Sequence, residues 1–416
     1  MKSEKFIRNR TALITLIAAS LVVLISLGVR QTFGMFFMDF RDDLGISLTQ
    51  SGLSVGLQML MWGLTGPIFG TIADKYGGHK AIALAFIFFI AGVYFLYAGP
   101  NTGIFFQIDL GVLVGIGLGG TAISIPMSVV GKHFPLSNRT IAMSIVTAVG
   151  SFGYFLSPIL TEYSLTENGW QTTLLAFLIA LSVGLIISFF VRSPSLEQTI
   201  EAPNTQTTTE AVKEAFGSKS YILLVSGFFV CGFHITLVGT HVPTYVIDRG
   251  LESWTAAAIL SLIGLFNIFG SLCSGYLSTK MSKKIILSVI YSLRGLSIIF
   301  FIFLPASNIN SFIFGATFGF LWLSTVPATS GIVAHMFGTK YLGLLYGIVF
   351  LSHQIGSFFG AYLGGLFHDL YGSYDYAWYL AIALSVFAAI IHLPIKEPVS
   401  YTHLRAHETR EDLVFR

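Results

Sequence analysis

The chain has 416 residues, of which 54% are hydrophobic and only 10% charged. Soluble domains carry roughly 25% charged residues, so this chain has too few to cover a water-facing exterior. The formal charge of +3 comes without a dense basic block, which argues against a nucleic-acid partner, and two cysteines, Cys231 and Cys273, offer neither a disulfide framework nor a Cys-rich metal centre.

The polar start MKSEKFIRNR, followed by an apolar run, superficially resembles a signal peptide. The run is too long for one and many more follow, so it reads as an uncleaved first helix. Stretches long enough to cross a bilayer fall near 11–38, 49–72, 80–98, 103–131, 139–163 and 171–192. They resume near 219–247, 253–278, 283–304, 309–336, 340–371 and 375–395. Each meets the roughly 17–25 residues that a hydrocarbon core of about 30 Å requires. The 43 glycines and 38 phenylalanines suit helices that pack closely through small residues and turn aromatics to lipid. The expected fold is an all-α membrane protein with twelve transmembrane helices in two pseudo-symmetric six-helix bundles. The bundles are placed at 1–192 and 219–398, joined by the polar linker 193–218 (SPSLEQTIEAPNTQTTTEAVKEAFGS).

Basic residues set the orientation. Lys2, Lys5, Arg8 and Arg10 precede the first span; Lys75, Lys80, Lys132, Arg139, Lys280, Lys283, Lys284 and Lys340 mark alternate loops. The intervening loops are acidic or neutral, with Asp39, Asp42 and Asp43 after the first span and Glu162 and Glu167 after the fifth. Both termini are therefore expected in the cytoplasm, across a bacterial-type inner membrane. Residues 399–416, which open VSYTHLRAHET, resemble a conceptual translation of a sequencing adapter. The native chain is expected to end near Pro398, and the His403/His407 pair is set aside as a metal site.

Two short internal matches support the division into halves. GTIADK at Gly70–Lys75 pairs with GYLSTK at Gly275–Lys280, and GSFG at Gly150–Gly153 with GSFFG at Gly356–Gly360. Both pairs are about 205 residues apart.

The run Gly70-Thr-Ile-Ala-Asp74-Lys75-Tyr-Gly77, between the second and third spans, resembles the loop signature of the major facilitator superfamily, G-x-x-x-D-(R/K)-x-G. The resemblance extends over about residues 11 to 397. It implies alternating access, with Gly70, Asp74, Lys75 and Gly77 forming a conformational latch. Gly78 and His79 depart from the basic continuation of that signature, and Asp109 lies near the place of the family's arginine in the fourth helix. Within the superfamily the chain is most similar to bacterial relatives of the monocarboxylate and oxalate/formate transporters. That similarity rests on GVRQTFGMFF in the first helix, CGFHITLVGTHVPTY in the seventh and FLSHQIGSFFGAYLGGLFHDLYGSYD in the eleventh. Asn267 and Ser271 hold the places of an aspartate–arginine pair in eukaryotic monocarboxylate transporters, so that proton-coupling scheme does not carry over.

A charge at mid-membrane costs about 2.5–3.5 kcal/mol on insertion scales, so intramembrane charges come first as site candidates. Arg30, beside Gln31 in the first span, can grip a carboxylate with two parallel hydrogen bonds; the alternative is an arginine snorkelling to the interface. His234 follows Arg30 by 204 residues, the repeat distance, and His241 lies two turns further. His353 and Gln354 sit near the middle of the eleventh span. Each histidine is either an anion or proton ligand or a hydrogen bond between helices. Arg294 in the ninth span and Asn267 in the eighth are substrate candidates or structural ties. Asp109 is the sole carboxylate well inside a span, a proton carrier or an interfacial hydrogen bond. The ladders Gly111, Gly115, Gly119 and Gly356, Gly360, Gly364 read as close helix packing.

The expected function is secondary active transport of a small organic anion, a monocarboxylate foremost, by symport or antiport with H+ or an exchanged anion. An efflux carrier for lipophilic or cationic compounds is the alternative. Without a catalytic pair in suitable context, an ATP-binding loop or a metal-ligand set, neither an enzyme nor a cofactor is expected. The bilayer is the expected surround and the monomer the expected state.

Overall fold

The computed structural model describes residues 10–100, 102–193, 207–338 and 341–397. Lys2, Lys5, Arg8, Lys340 and the tail 399–416 lie outside the described residues. Within them the chain is helical, with no strand.

The spans are α1 (Arg10–Leu44), α2 (Leu48–Tyr76), α3 (Gly78–Ala98) and α4 (Ile104–His133). The next helical run, Leu136–Ser188, is 53 residues long, about 80 Å of helix at 1.5 Å per residue and far more than one bilayer crossing. Gly169 divides it with φ 76° and ψ 171°, a backbone conformation closed to residues with a Cβ. The two pieces are α5 (136–168) and α6 (170–188). After the linker come α7 (Lys219–Asp248), α8 (Ser253–Leu277), α9 (Lys283–Phe303), α10 (Asn308–Phe337), α11 (Leu342–Tyr371) and α12 (Asp375–His392). Eleven apolar helices, one broken at Gly169, give the twelve expected crossings.

Three local expectations are corrected. Asp39, Asp42 and Asp43 lie on a helical end of α1, not in a loop, after a 3-10 turn at Phe33–Phe36. Glu162 and Glu167 belong to the last turns of α5, because the chain stays helical up to Gly169. The linker carries a helix of its own, Thr208–Gly217, opened by a capping box. In that box the Glu210 N–H donates to Thr207 Oγ1 at 3.3 Å and the Thr207 N–H to Glu210 Oε2 at 2.8 Å.

Both glycine ladders serve close packing. Gly111, Gly115 and Gly119 press on α2, whereas Gly356 and Gly360 admit the carbonyls of Phe229 and Phe233 on α7. Lengthwise, α1 packs on α5 and α7 on α11; between α1–α6 and α7–α12 the main contacts are α2 with α11 and α5 with α8. Those cross-contacts run antiparallel. Gly365 meets the backbone of Leu48, Gly52 that of Ala361, Gly56 meets Phe358, and Gly264 meets Tyr154 and Phe155. All lie toward one face, the one bearing the α1–α2 and α7–α8 turns. Toward the other face, which bears Lys75, Lys80, Lys280 and Lys284 and is termed here the basic face, the same helices separate. A Cβ at Gly275, Gly343 or Gly347 would meet nothing within 4 Å, and Leu64, Ile68, Ile141, Leu272, Tyr276 and Leu344 are exposed. The halves therefore converge away from the basic face and diverge toward it.

The Gly169 break supplies a test. Gly169→Ala introduces no clash, since only Gln171 Oε1 lies within 4 Å, at 3.8 Å. The positive-φ backbone, in a region that residues with a Cβ adopt only under strain, should cost about 1–3 kcal/mol, read as a lower melting midpoint in detergent. Gly217→Ala, in open space without a positive φ, should leave the midpoint unchanged.

Candidate functional site

Arg30 closes the last α-helical turn of α1 before the 3-10 turn, just where α1 crosses α7. The crossing is tight because position 34 has no side chain: a Cβ on Gly34 would fall 2.3 Å from the Thr240 carbonyl oxygen. The Arg30 guanidinium donates from Nη2 to Met59 Sδ at 3.2 Å, lies 5.7 Å from the Trp62 ring centroid and is also within hydrogen-bonding reach of the Tyr154 hydroxyl. A thioether is a weak acceptor for a group with five N–H donors. Among the described residues the ion pairs are Arg41–Asp42, Lys132–Asp74 and His368–Asp248. Arg30 has no carboxylate partner there.

Beside it, Gln31 is 2% exposed, and neither its amide oxygen nor its amide nitrogen finds a hydrogen-bond partner. A buried, unsatisfied amide costs about 1–3 kcal/mol. Arg30, Gln31, Phe33, Gly34, Val55 and Thr240 surround a small cavity, completed by Gly239. A Cβ on Gly239 would lie 3.5 Å from the Trp322 ring and 3.9 Å from Gln31 Nε2, so a tryptophan of α10 stands at the same place.

The second half reaches this point through α11. Gln354 Nε2 donates to the Met59 carbonyl at 3.0 Å, and Gln354 Oε1 is 3.0 Å from His353 Nδ1. Phe350 stacks on the His353 ring with centroids 5.6 Å apart and meets Trp62 at 6.0 Å. Met59 is thus held from both sides, by Arg30 of α1 and Gln354 of α11.

The other sequence candidates lie elsewhere. Arg294 is fully buried and donates to the carbonyls of Leu321 (2.7 Å from Nη2, 3.2 Å from Nε) and Trp322 (2.6 Å). Those carbonyls are free because α10 is interrupted between Leu321 and Thr325, and the cation also meets the negative end of the first helical segment. Asn267 serves the same break: its Oδ1 accepts the Leu323 N–H at 3.0 Å, while its Nδ2 donates to Ser151 of α5 at 3.1 Å. His234 turns to α12, with Nε2 2.8 Å from the Ala381 carbonyl and 3.3 Å from Ser385 Oγ. His241 bonds the Ala361 carbonyl at 2.6 Å and Tyr374 at 3.3 Å, on the converging side. Asp109 sits in a π-helical stretch, Gln107–Leu113, whose backbone packs on Gly92 of α3. The structure therefore gathers Arg30, Gln31, His353 and Gln354, and places His234, His241, Arg294 and Asp109 apart from them.

At the basic face, Asp74 accepts from Lys132 Nζ at 2.6 Å, joining α2 to α4 within the first half. Lys75 lies over the Tyr76 ring, Gly70 packs near Ile125, and Gly77 takes φ 98° to turn the chain into α3. Sequence reasoning passed over Met59, Trp62, Tyr154, Trp322 and Phe350. A signal existed for the tryptophans: Trp62 and Trp322 lie well inside their spans, away from the interfaces where tryptophan is usually enriched.

The two arginines separate by role. Arg294→Gln deletes hydrogen bonds to buried carbonyls and should cost about 1.5–3 kcal/mol or more, seen as a clearly lower melting midpoint. Arg30→Gln removes a cation with no carboxylate partner and should leave the midpoint at or above the wild-type value.

The family model of the Major Facilitator Superfamily matches residues 19–326. The "Uncharacterized MFS-type transporter YcxA" of Bacillus subtilis (strain 168) is 25% identical over 88% of this chain and 90% of its own length. "Monocarboxylate transporter 13" of Rattus norvegicus is 23% identical over 88% of this chain and 85% of its own. Among solved structures, a bacterial homolog of the human lysosomal transporter Spinster, in an inward-facing and unoccupied conformation, superposes with a TM-score of 0.70 at 14% identity. It covers 94% of this chain and 99% of its own, a likeness of fold alone.

Proposed function

The chain belongs to the Major Facilitator Superfamily, and on that premise we propose that it moves a small organic anion, a monocarboxylate foremost, by alternating access. The observation that carries this reading is the Arg30 guanidinium, without a carboxylate partner among the described residues, at the junction of the halves beside a Gln31 amide with both ends free. A carboxylate entering there gives Arg30 two charge-assisted hydrogen bonds and Gln31 its missing acceptor. Gln354 and His353 form the second half's side of the site and sense its occupation through Met59. The similarity to a protein named as a monocarboxylate transporter supports the same substrate class.

Transport runs as symport or antiport, with H+ or a second anion as the coupling ion, and the working unit is the monomer. The membrane is a bacterial-type inner membrane, and the basic face with both termini is its cytoplasmic side. The divergence of the helices there makes this conformer open inward. Asp74 and Lys75 latch the same face when it closes. Arg294 and Asn267 hold the α10 break that carries Trp322, and Asp109 stays a candidate proton carrier.

Counterflow in proteoliposomes tests the reading, with labelled lactate, pyruvate, formate and oxalate set against a lipophilic cation. Wild-type protein should show saturable carboxylate exchange. Arg30→Gln should lower it about 10- to 100-fold, the worth of lost charge-assisted hydrogen bonds, and Arg30→Lys by less because a single ammonium keeps the charge without the fork. Exchange of the cation, indifferent to both substitutions, would mean an efflux carrier and would remove the anion site.

Gln31→Leu gives an opposed pair of effects. It should weaken carboxylate exchange, yet raise the melting midpoint of the empty protein by removing an unsatisfied amide. A fall in the midpoint would contradict this reading of Gln31.

A further inference from the structure

On the face where the halves converge, two carboxylates reach across from one half to the other. Asp369, in the last turn of α11, accepts the Thr49 N–H at 2.7 Å and the Thr49 hydroxyl at 2.6 Å. Thr49 stands in the first turn of α2, whose N-cap is Ser47. The Thr49 N–H is one of the donors that a helix start leaves free. On the other side of the molecule, Glu162 near the end of α5 accepts a short hydrogen bond from the hydroxyl of Ser253, the first residue of α8.

The two contacts are images of each other under the internal repeat. Thr49 and Ser253 are 204 residues apart, Glu162 and Asp369 are 207 apart, and the sequence repeat is about 205. Helix α8 therefore stands to α2 as α11 stands to α5. In each contact a carboxylate at the end of one helix meets the start of a helix in the opposite half, where the backbone dipoles leave a partial positive charge. The wider cross-half contacts on this face are backbone against glycine, as at Gly365–Leu48 and Gly52–Ala361. Asp369 and Glu162 contribute the carboxylates there.

We propose that Asp369 and Glu162 are paired gate residues, each clasping the first turn of a helix in the other half, and that both clasps must release before this face opens. The proposal rests on the alternating-access reading. A carboxylate at an exposed helix start is worth about 0.3–1 kcal/mol. That amount is small for folding, but it is sufficient between two conformers that must both be populated during a transport cycle. A carboxylate suits both places because it only accepts hydrogen bonds and its partners donate in these contacts, and its charge meets the helix dipole, which an amide does not. The Gly365–Leu48 and Gly52–Ala361 approaches set how near the halves come. The clasps set how long they stay.

The test uses the full chain in lipid nanodiscs, with Cys231→Ser and Cys273→Ser, and distances between spin labels measured by double electron–electron resonance. One label pair, at Thr102 and Ala306, spans the converging face; the other, at Lys80 and Met281, spans the basic face. Loss of one clasp, by Asp369→Ala or Glu162→Ala, should raise the population with a lengthened Thr102–Ala306 distance about two- to fivefold. The double variant should combine the two factors, since the sites are far apart, and the Lys80–Met281 distance should shorten in the same population. Asp369→Asn and Glu162→Gln, which keep the shape, should fall between wild type and alanine. An unchanged Thr102–Ala306 distribution in a double variant with an unaltered melting midpoint would overturn the proposal. Lengthening at Thr102–Ala306 without shortening at Lys80–Met281 would uphold the clasps and overturn alternating access instead.

Discussion

Hydrocarbon offers no hydrogen bonds, and everything in this structure answers to that constraint. Each backbone donor and acceptor at membrane depth has to find a partner within the protein, which makes helices the default. The informative places are those where a helix stops inside the membrane. The interruption of α10 between Leu321 and Thr325 exposes carbonyls and an N–H, and the protein supplies Arg294, Asn267 and Ser274 to meet them. Arg294 is a full charge in an apolar interior. Even so, its Nε and Nη2 are turned on helix-end carbonyls and its face on the Tyr291 ring, with Nη1 alone lacking a partner. It belongs to the scaffold.

Arg30 poses the opposite case. It carries the same charge, but its partners are a thioether, the Tyr154 hydroxyl and the face of Trp62, with no carboxylate among the described residues. Its sequence neighbour Gln31 is left with an unsatisfied amide. Other buried polar atoms also lack partners, but here a cation without a carboxylate stands beside an amide with neither end bonded, at the junction of the halves. On the proposed function, an incoming carboxylate would relieve that shortage. Met59 is held by Arg30 from α1 and by Gln354 from α11, so on that reading binding would reach both halves at once. The crossings at Gly34–Thr240 and Gly52–Ala361 place the site directly beneath the converging face.

Much of the fold was legible because bilayer thickness fixes the length of a span and the positions of glycine, lysine and aspartate mark its ends. The G-x-x-x-D-K-x-G turn fell where it was read, with Gly77 at positive φ. The Thr207-x-x-Glu210 capping signal was present as well, though a polar composition hid its helix. Rotation about the helix axis was not legible. In a span that is apolar all round, hydropathy does not say which way a polar residue points. His234 keeps the repeat distance from Arg30 yet faces α12, and Arg294, conspicuous in sequence, faces a break in α10 that no local signal announces. Asp369 and Glu162 were not read as site residues because carboxylates at the ends of spans are ordinarily solvated; their partners lie 320 and 91 residues away in the chain.

The most direct measurement of the central claim is equilibrium binding of a labelled monocarboxylate to the purified protein, without transport. Wild type and Arg294→Lys, which keeps a cation at the α10 break, should both bind saturably, whereas Arg30→Gln should lose binding at a melting midpoint no lower than that of wild type. Binding that survives in Arg30→Gln, or that disappears with Arg294→Lys alone in a folded protein, would contradict the assignment of Arg30 as the group that meets the substrate.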